Sequence, residues 1–263
     1  MSAFNTIEFT REAAIARITL NRPDSANGIS LEMASELLQA SLDCRHDDSV
    51  RAVVLGANGR MFCAGGDING FASNATRLQS HLKELTLLLH AAISNLARMR
   101  APLIVAVNGA AAGAGFSLAL CGDLVLAARS TRFTLAYTAI GLVPDGGATY
   151  FLPRVVGLRR AQELILSNRR LAAEEALEWG IVTQVVEDTE LPEAATALAT
   201  RIASGPTRAF GAVKRMLAAS YHSTLESQMD LEGSEIAAAS VTADGREGVS
   251  AFLAKRAAVF TGG

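Results

Sequence analysis

Three features of this 263-residue chain predict an α/β fold. Short β-branched runs alternate with helical patterns over the first two-thirds, turns of small residues join them, and the last third is almost wholly helical. The strand candidates are Ala14–Leu20, Ala52–Leu55, Leu103–Val107, Asp123–Ala127 and Arg132–Leu135. Ser30 suits the N-cap of a helix running to about Arg45. A second helix spans about Thr76 to Arg98, where Leu78, Leu82, Leu85, Leu89, Ile93 and Leu96 recur at steps of three and four and mark a buried face. From about Leu158 the helical segments are Ala161–Leu166, Ala172–Glu178, Glu193–Ala203, Thr207–Ala219, Thr224–Ala239 and Gly245–Ala254. Asp244 with Glu247 reads as a capping box opening the last of these. The Gly205-Pro206 pair is a strong break. The expected division is a core over residues 1–200 and a helical region over 201–263.

With half its residues apolar, the chain can bury a large core. A net charge of −2 leaves no basic footprint, so no nucleic-acid partner is expected. No apolar run reaches the roughly 18 residues of a membrane span, and the N-terminus lacks a basic-then-apolar pattern, so a cytoplasmic protein without a membrane partner is expected. Cys44, Cys63 and Cys121 are an odd set without metal-like spacing. They read as reduced thiols, and no metal site is expected.

The most informative stretch runs from Leu103 to Asp123. A strand to Val107 meets an Asn108-Gly109 turn, then small residues lead into a short apolar helix. Around Gly113, Ala114 and Gly115 a ligand can approach the backbone, and a helix start leaves N–H groups unpaired. Such donors suit an oxygen that becomes negatively charged. A second turn of this kind, Met61 to Ile68, follows Val53-Val54-Leu55. Two backbone donors from two such turns can make an oxyanion hole.

These turns, together with Leu20-Asn21-Arg22-Pro23 and Asn27, Gly141-Leu142-Val143-Pro144-Asp145-Gly146-Gly147, Trp179-Gly180-Ile181-Val182 and Glu247 to Arg256, resemble the crotonase (enoyl-CoA hydratase/isomerase) superfamily in order and over nearly the full length. The resemblance implies a spiral core of ββα turns and a C-terminal helical region that trimerises, giving a homotrimer or a hexamer. It implies an acyl-CoA thioester substrate, with coenzyme A as part of that substrate and no separate cofactor. It implies oxyanion N–H groups at Ala64 and Ala114. Coenzyme A would meet Ala64, Gly65, Gly66, Asp67 and Ile68, with Phe252 and Lys255 reaching a neighbour's ligand. Read locally, Lys255 is equally a solvated helix end, and Asp67 a carboxylate satisfying backbone N–H groups. Arg22-Pro23-Asp24 leaves the phosphate contacts unassigned.

The departures from the family are at the acid–base positions. The two glutamates of enoyl-CoA hydration fall here on Ser117 and Tyr137, neither suited to that proton transfer near neutral pH. Asp145 remains, either a base or a turn residue capping the next helix. The Gly-Leu-Val-Pro-Asp run and the ending from Glu247 are most similar to the branch of the family that isomerises 1,2-epoxyphenylacetyl-CoA. One base suits an isomerase that lifts a proton from the acyl chain and returns it at another carbon, with Phe116, Ser117, Tyr137 and Leu142 forming the acyl pocket. The runner-up is an enoyl-CoA hydratase. A hydrolytic aryl-CoA dehalogenase comes third, in which His90 is a possible helper, although at about 100° per residue it lies roughly 110° from the centre of the apolar stripe. A non-catalytic CoA-binding protein is the further alternative.

Overall fold

A computed structural model describes residues 4–263. In chain order its elements are β1 (Ile7–Glu12), β2 (Ile15–Leu20), α1 (Leu31–His46), β3 (Ala52–Ala57), β4 (Met61–Cys63), α2 (Ile68–Ser73), α3 (Leu78–Arg98), β5 (Leu103–Val107), β6 (Ala110–Ala112), α4 (Ala114–Leu120), β7 (Leu124–Ala128) and β8 (Arg132–Thr134). They continue with α5 (Ala148–Val156), α6 (Leu158–Ser167), β9 (Leu171–Ala172), α7 (Ala173–Glu178), β10 (Gln184–Val186), α8 (Leu191–Ala203), α9 (Thr207–Ser220), α10 (Leu225–Ser240) and α11 (Ala243–Leu253).

A six-stranded sheet has the order β1-β2-β3-β5-β7-β10, antiparallel at β1–β2 and parallel elsewhere. A smaller sheet, β4-β6-β8-β9, is parallel except at β8–β9. The large sheet is covered on both faces, which is why β5 is apolar throughout. Strand alternation divides its residues. Val53, Leu55, Leu103, Val105 and Val107 join the main core with α1 and α3, whereas Ala52, Val54, Ile104 and Ala106 face α8.

A repeat the sequence conceals is plain in the fold. A long strand, a short strand, a turn and a helix recur as β3-β4-α2, β5-β6-α4 and β7-β8-α5. The functional turns occupy the same point in each unit, between the short strand and the helix.

Ser30 caps α1 by accepting the Met33 N–H at 3.2 Å. On α3, Leu85, Leu89, Ile93 and Leu96 are buried, and Leu82 is half-buried against the core. The capping box at Asp244 and Glu247 is not formed. Thr242 caps α11 through the Gly245 N–H at 2.9 Å, while Asp244 is buried and accepts the Thr261 and Gly262 N–H groups at 2.7 and 2.8 Å. Glu247 instead pairs with Arg256 at 2.6 Å. Residue 200 lies inside α8, whose apolar face seals the sheet, and the helix ends at Ala203 just before Gly205-Pro206.

Candidate active site

The two small-residue turns meet with no side chain between them. A Cβ on Gly65 would lie 3.1 Å from the Ala112 carbonyl and 3.5 Å from the Ala114 nitrogen. Gly115 is tighter still, since a Cβ there would stand 2.4 Å from the Cys63 carbonyl oxygen. Glycine at both positions therefore lets α4 start directly against the end of β4.

Ala114 is the first residue of α4, and its N–H has no acceptor among the described residues. The other donor differs from the one expected. The Ala64 N–H donates to the Ala26 carbonyl at 3.0 Å and is already used. Two residues on, the Gly66 N–H has no acceptor among the described residues, because the surrounding bonds to Ile29 run from Asp67 and to Gly65. The free pair of amides is thus Gly66 and Ala114. Cys63, beside this turn, is fully buried, and burial pushes its thiol up to about 12, so it is a packing residue.

Asp145 lies in the stretch between β8 and α5. It does not cap α5, whose N-cap is Gly147 at φ 80° with no side-chain bond. Its carboxylate Oδ1 accepts the Tyr137 hydroxyl at 2.5 Å. The Tyr137 oxygen in turn lies 3.0 Å from Ser117 Oγ. Burial, reinforced by the Asp145 charge, pushes the Tyr137 hydroxyl far above its usual range, so it remains a donor. His90 is half-exposed, but its Nε2 accepts the Gly146 N–H at 3.0 Å and stands 3.8 Å from Asp145 Oδ2. Helical spacing sets His90 at the edge of the apolar stripe, and that edge abuts Asp145.

A cavity of about 250 Å³ joins these parts. Ala64, Gly66 and Ala114 form one wall, Leu82, Leu85 and Leu89 of α3 another, and Tyr137, Leu142 and Asp145 a third. Asp145 is the one carboxylate lining it among the described residues. Two residues expected at the acyl pocket sit elsewhere. Phe116 is fully buried against Phe133, and Ser117 is fully buried behind Tyr137.

Residues 10–263 match the sequence profile of the family described as enoyl-CoA hydratase/isomerase. The chain belongs to that family. It is 42% identical over 252 residues to the 1,2-epoxyphenylacetyl-CoA isomerase of Escherichia coli, covering 95% of this chain and 96% of the relative. A Rhodobacter capsulatus protein named "probable enoyl-CoA hydratase" is 40% identical over 260 residues, 99% of each chain. The crystal structure of an enoyl-CoA hydratase from Polaromonas sp. JS666 superimposes with a TM-score of 0.93 at 30% identity, over 97% of this chain and 99% of that one. The α/β architecture is thus that of the crotonase superfamily, with its helical C-terminal region.

Within this family member, Asp67 caps α2 through the Asn69 and Gly70 N–H groups at 3.1 and 3.2 Å and pairs with Arg22 at 2.9 Å. Both side chains are therefore committed within the fold. Ile68 is exposed at the cavity mouth. Phe252 and Lys255 are also exposed and do not line the cavity of their own chain. Sequence pattern alone shows neither the Gly66 amide nor the Tyr137–Asp145 contact. The first follows from counting the bonds of one turn, and the second joins two residues eight positions apart across an irregular loop.

Proposed function

We propose that this chain is an acyl-CoA isomerase that shifts a double bond, or rearranges a related phenylacetyl-CoA-type epoxide, with Asp145 as its one base. The carrying observation is that, among the described residues, one carboxylate lines the cavity and stands beside two amides without acceptors, with hydroxyls at the two positions that bear glutamate in hydratases. Asp145 takes a proton from the acyl chain. The electron pair moves onto the thioester oxygen, which accepts the Gly66 and Ala114 N–H groups. Collapse of the enolate returns the proton at a different carbon. Loss of one such donor costs about 3–4 kcal/mol in barrier. The likeness to the Escherichia coli isomerase supports this reading.

The test is turnover of 3-enoyl-CoA and of ring-1,2-epoxyphenylacetyl-CoA by wild type and Asp145→Asn. Loss of activity in the variant is expected, and undiminished activity would remove Asp145 from the role. The second reading, enoyl-CoA hydratase, draws on the relatives named for that activity. With hydroxyls at 117 and 137 it needs an unconventional acid–base arrangement, so strong crotonyl-CoA hydration that survives Asp145→Asn would favour it, with a base other than Asp145. Release of chloride from 4-chlorobenzoyl-CoA would identify the dehalogenase instead. Binding without turnover of any of these would mark a CoA-binding protein.

We also propose a trimer or a pair of trimers. Val249, Phe252 and Leu253 of α11, with Leu225, Met229 and Ile236 of α10, expose large apolar side chains, a pattern typical of protein contacts. Closed rings cover such surfaces without open-ended growth. Light scattering should give a multiple of three subunits, and Lys255→Ala should weaken CoA binding without unfolding the chain. A stable monomer with full CoA affinity would defeat this reading.

A further inference from the structure

We infer that Tyr137 and Ser117 are positioning residues that lock the Asp145 carboxylate, leaving Oδ2 to carry the proton and keeping that proton from exchanging with water. The inference rests on the isomerase reading and concerns what becomes of the hydrogen between its two carbons.

A carboxylate that merely lined a cavity would rotate, and either oxygen could pass a proton to solvent. Here Oδ1 is occupied by the Tyr137 hydroxyl at 2.5 Å. A hydrogen bond to an ionised group is shorter and roughly twice as strong as a neutral one. Tyr137 is itself backed by Ser117 Oγ at 3.0 Å, and that hydroxyl lies 3.3 Å from the Gly113 carbonyl. Ser117 is fully buried, so the hydroxyl pair is closed off from water at its far end. The Asp145–Gly146 turn also rests on Ser117. Gly146 has φ 59°, and a Cβ there would stand 2.9 Å from Ser117 Cβ.

Among the described residues, the basic side chain within 4 Å of the free oxygen is His90, with Nε2 at 3.8 Å. That nitrogen already accepts the Gly146 N–H, so its lone pair is engaged. A proton on Oδ2 therefore cannot pass to His90 unless the Gly146 bond breaks. One turn away on α3 in either direction stand Thr86, Leu87, Ile93 and Ser94, none of them charged. The Asp145 side chain is 25% exposed and His90 is 49% exposed, so it is the bound acyl group, seated in the cavity that Asp145 lines, that must cover Oδ2; once it does, the favoured destination of the proton is the substrate.

The experiment is turnover of 3-enoyl-CoA in D₂O, reading kcat, KM and the deuterium content of the product for wild type, Tyr137→Phe, Ser117→Ala and Asp145→Asn. Wild type should give product with little solvent deuterium. Tyr137→Phe should lower kcat about tenfold with KM nearly unchanged, and should raise the deuterium content. Ser117→Ala should act in the same direction and less. Wild-type product carrying solvent deuterium at every turnover would overturn the inference. So would a Tyr137→Phe enzyme with wild-type kcat and isotope content. If Asp145→Asn keeps full activity the isomerase reading itself fails, whereas an inactive Asp145→Asn beside an unaffected Tyr137→Phe defeats this inference alone. One arm needs no turnover. The ¹³Cζ resonance of Tyr137, identified by its loss in Tyr137→Phe, should shift in Asp145→Asn, and a resonance that stays in place would show the hydrogen bond absent.

Discussion

Replacing Gly115 with alanine should damage catalysis more than folding. The new Cβ would lie 2.4 Å from the Cys63 carbonyl oxygen and 2.6 Å from Cys63 Cβ, neither of them the movable end of a long side chain. Ordinary contact begins near 3.4 Å, so the start of α4 and the end of β4 must separate by about 1 Å. Overpacking of this kind costs about 1–3 kcal/mol of stability, a loss of several degrees in melting temperature for a chain of this size. The same separation widens the gap between Ala114, which opens α4, and Gly66, which follows β4. Donors must sit about 2.7–3.1 Å from the developing oxyanion, and removing one costs about 10²–10³ in kcat. Turnover of 3-enoyl-CoA and thermal melting of Gly115→Ala should therefore show a modest loss of stability beside a kcat loss of about 10² or more. Gly56→Ala is the control, because its Cβ would meet only the Ala106 carbonyl at 4.0 Å. A folded Gly115→Ala enzyme with wild-type kcat would refute the reasoning.

Three further outcomes follow from packing and charge. Asp244→Ala should cost about 2–3 kcal/mol in urea unfolding, because two N–H groups of the C-terminal tail lose the charged acceptor that the buried Asp244 carboxylate provides, and amide exchange at Thr261 and Gly262 should quicken; unchanged exchange there would contradict it. Burial opposes ionisation of Glu36, but bonds from the Asn5, Thr6 and Ile7 N–H groups and the Thr6 hydroxyl outweigh it and hold the carboxyl below its usual value. Its contribution is then fully present above the unfolded pKa of about 4.3 and is lost as pH falls through the lower folded value, so the stability gap between wild type and Glu36→Gln should be flat above about pH 5 and close in acid. A gap that widened in acid would reverse the sign. Gly233→Ala on α10 has no atom of its own chain within 4 Å of the new Cβ, so helix propensity alone favours alanine by about 0.5–1 kcal/mol; because Gly233 shares a face with Met229 and Ile236, a raised melting temperature would fit an open site there and a lowered one would place a neighbouring subunit against it.

What could be read from the sequence follows the length of each signal. The leucine steps of α3 and the five buried residues of β5 carry enough periodicity to identify both elements. β4 and β6 have three residues each, too few to show alternation, so they read as parts of turns. Asp244 looked like a cap because its neighbours in sequence suit one, yet its partners are Thr261 and Gly262, brought back by a chain reversal that local pattern does not record. The candidate site divides in the same way. Small residues announced both turns and Pro-Asp-Gly-Gly announced the third, but choosing Gly66 over Ala64 required knowing that Ala26 already takes the Ala64 N–H. Phe116 was misjudged by its neighbours. Residues two apart on a helix lie about 200° apart round its axis, so Ala114 opens onto the cavity while Phe116 enters the core.

The strand-turn-helix unit explains how such a site can change its chemistry without changing its frame. Its first two turns contribute main-chain N–H groups at Gly66 and Ala114, and these ask only that nearby residues be small. The third turn is stretched over residues 135–147 and contributes side chains instead, Tyr137 and Asp145. Thioester polarisation therefore resides in backbone geometry that most substitutions leave alone, whereas proton handling resides in a loop and in position 117 beneath it. These two parts are not independent. Ser117 lies behind Tyr137, supports Gly146 and reaches the Gly113 carbonyl, whose peptide unit supplies the Ala114 N–H. A carboxylate at position 117 would have to fit a fully buried space already in contact with the Asp145 turn, and would add a second negative charge near the first. The hydroxyls at 117 and 137 are thus a matched pair for a site with one base, and altering either alone unsettles the residue that remains.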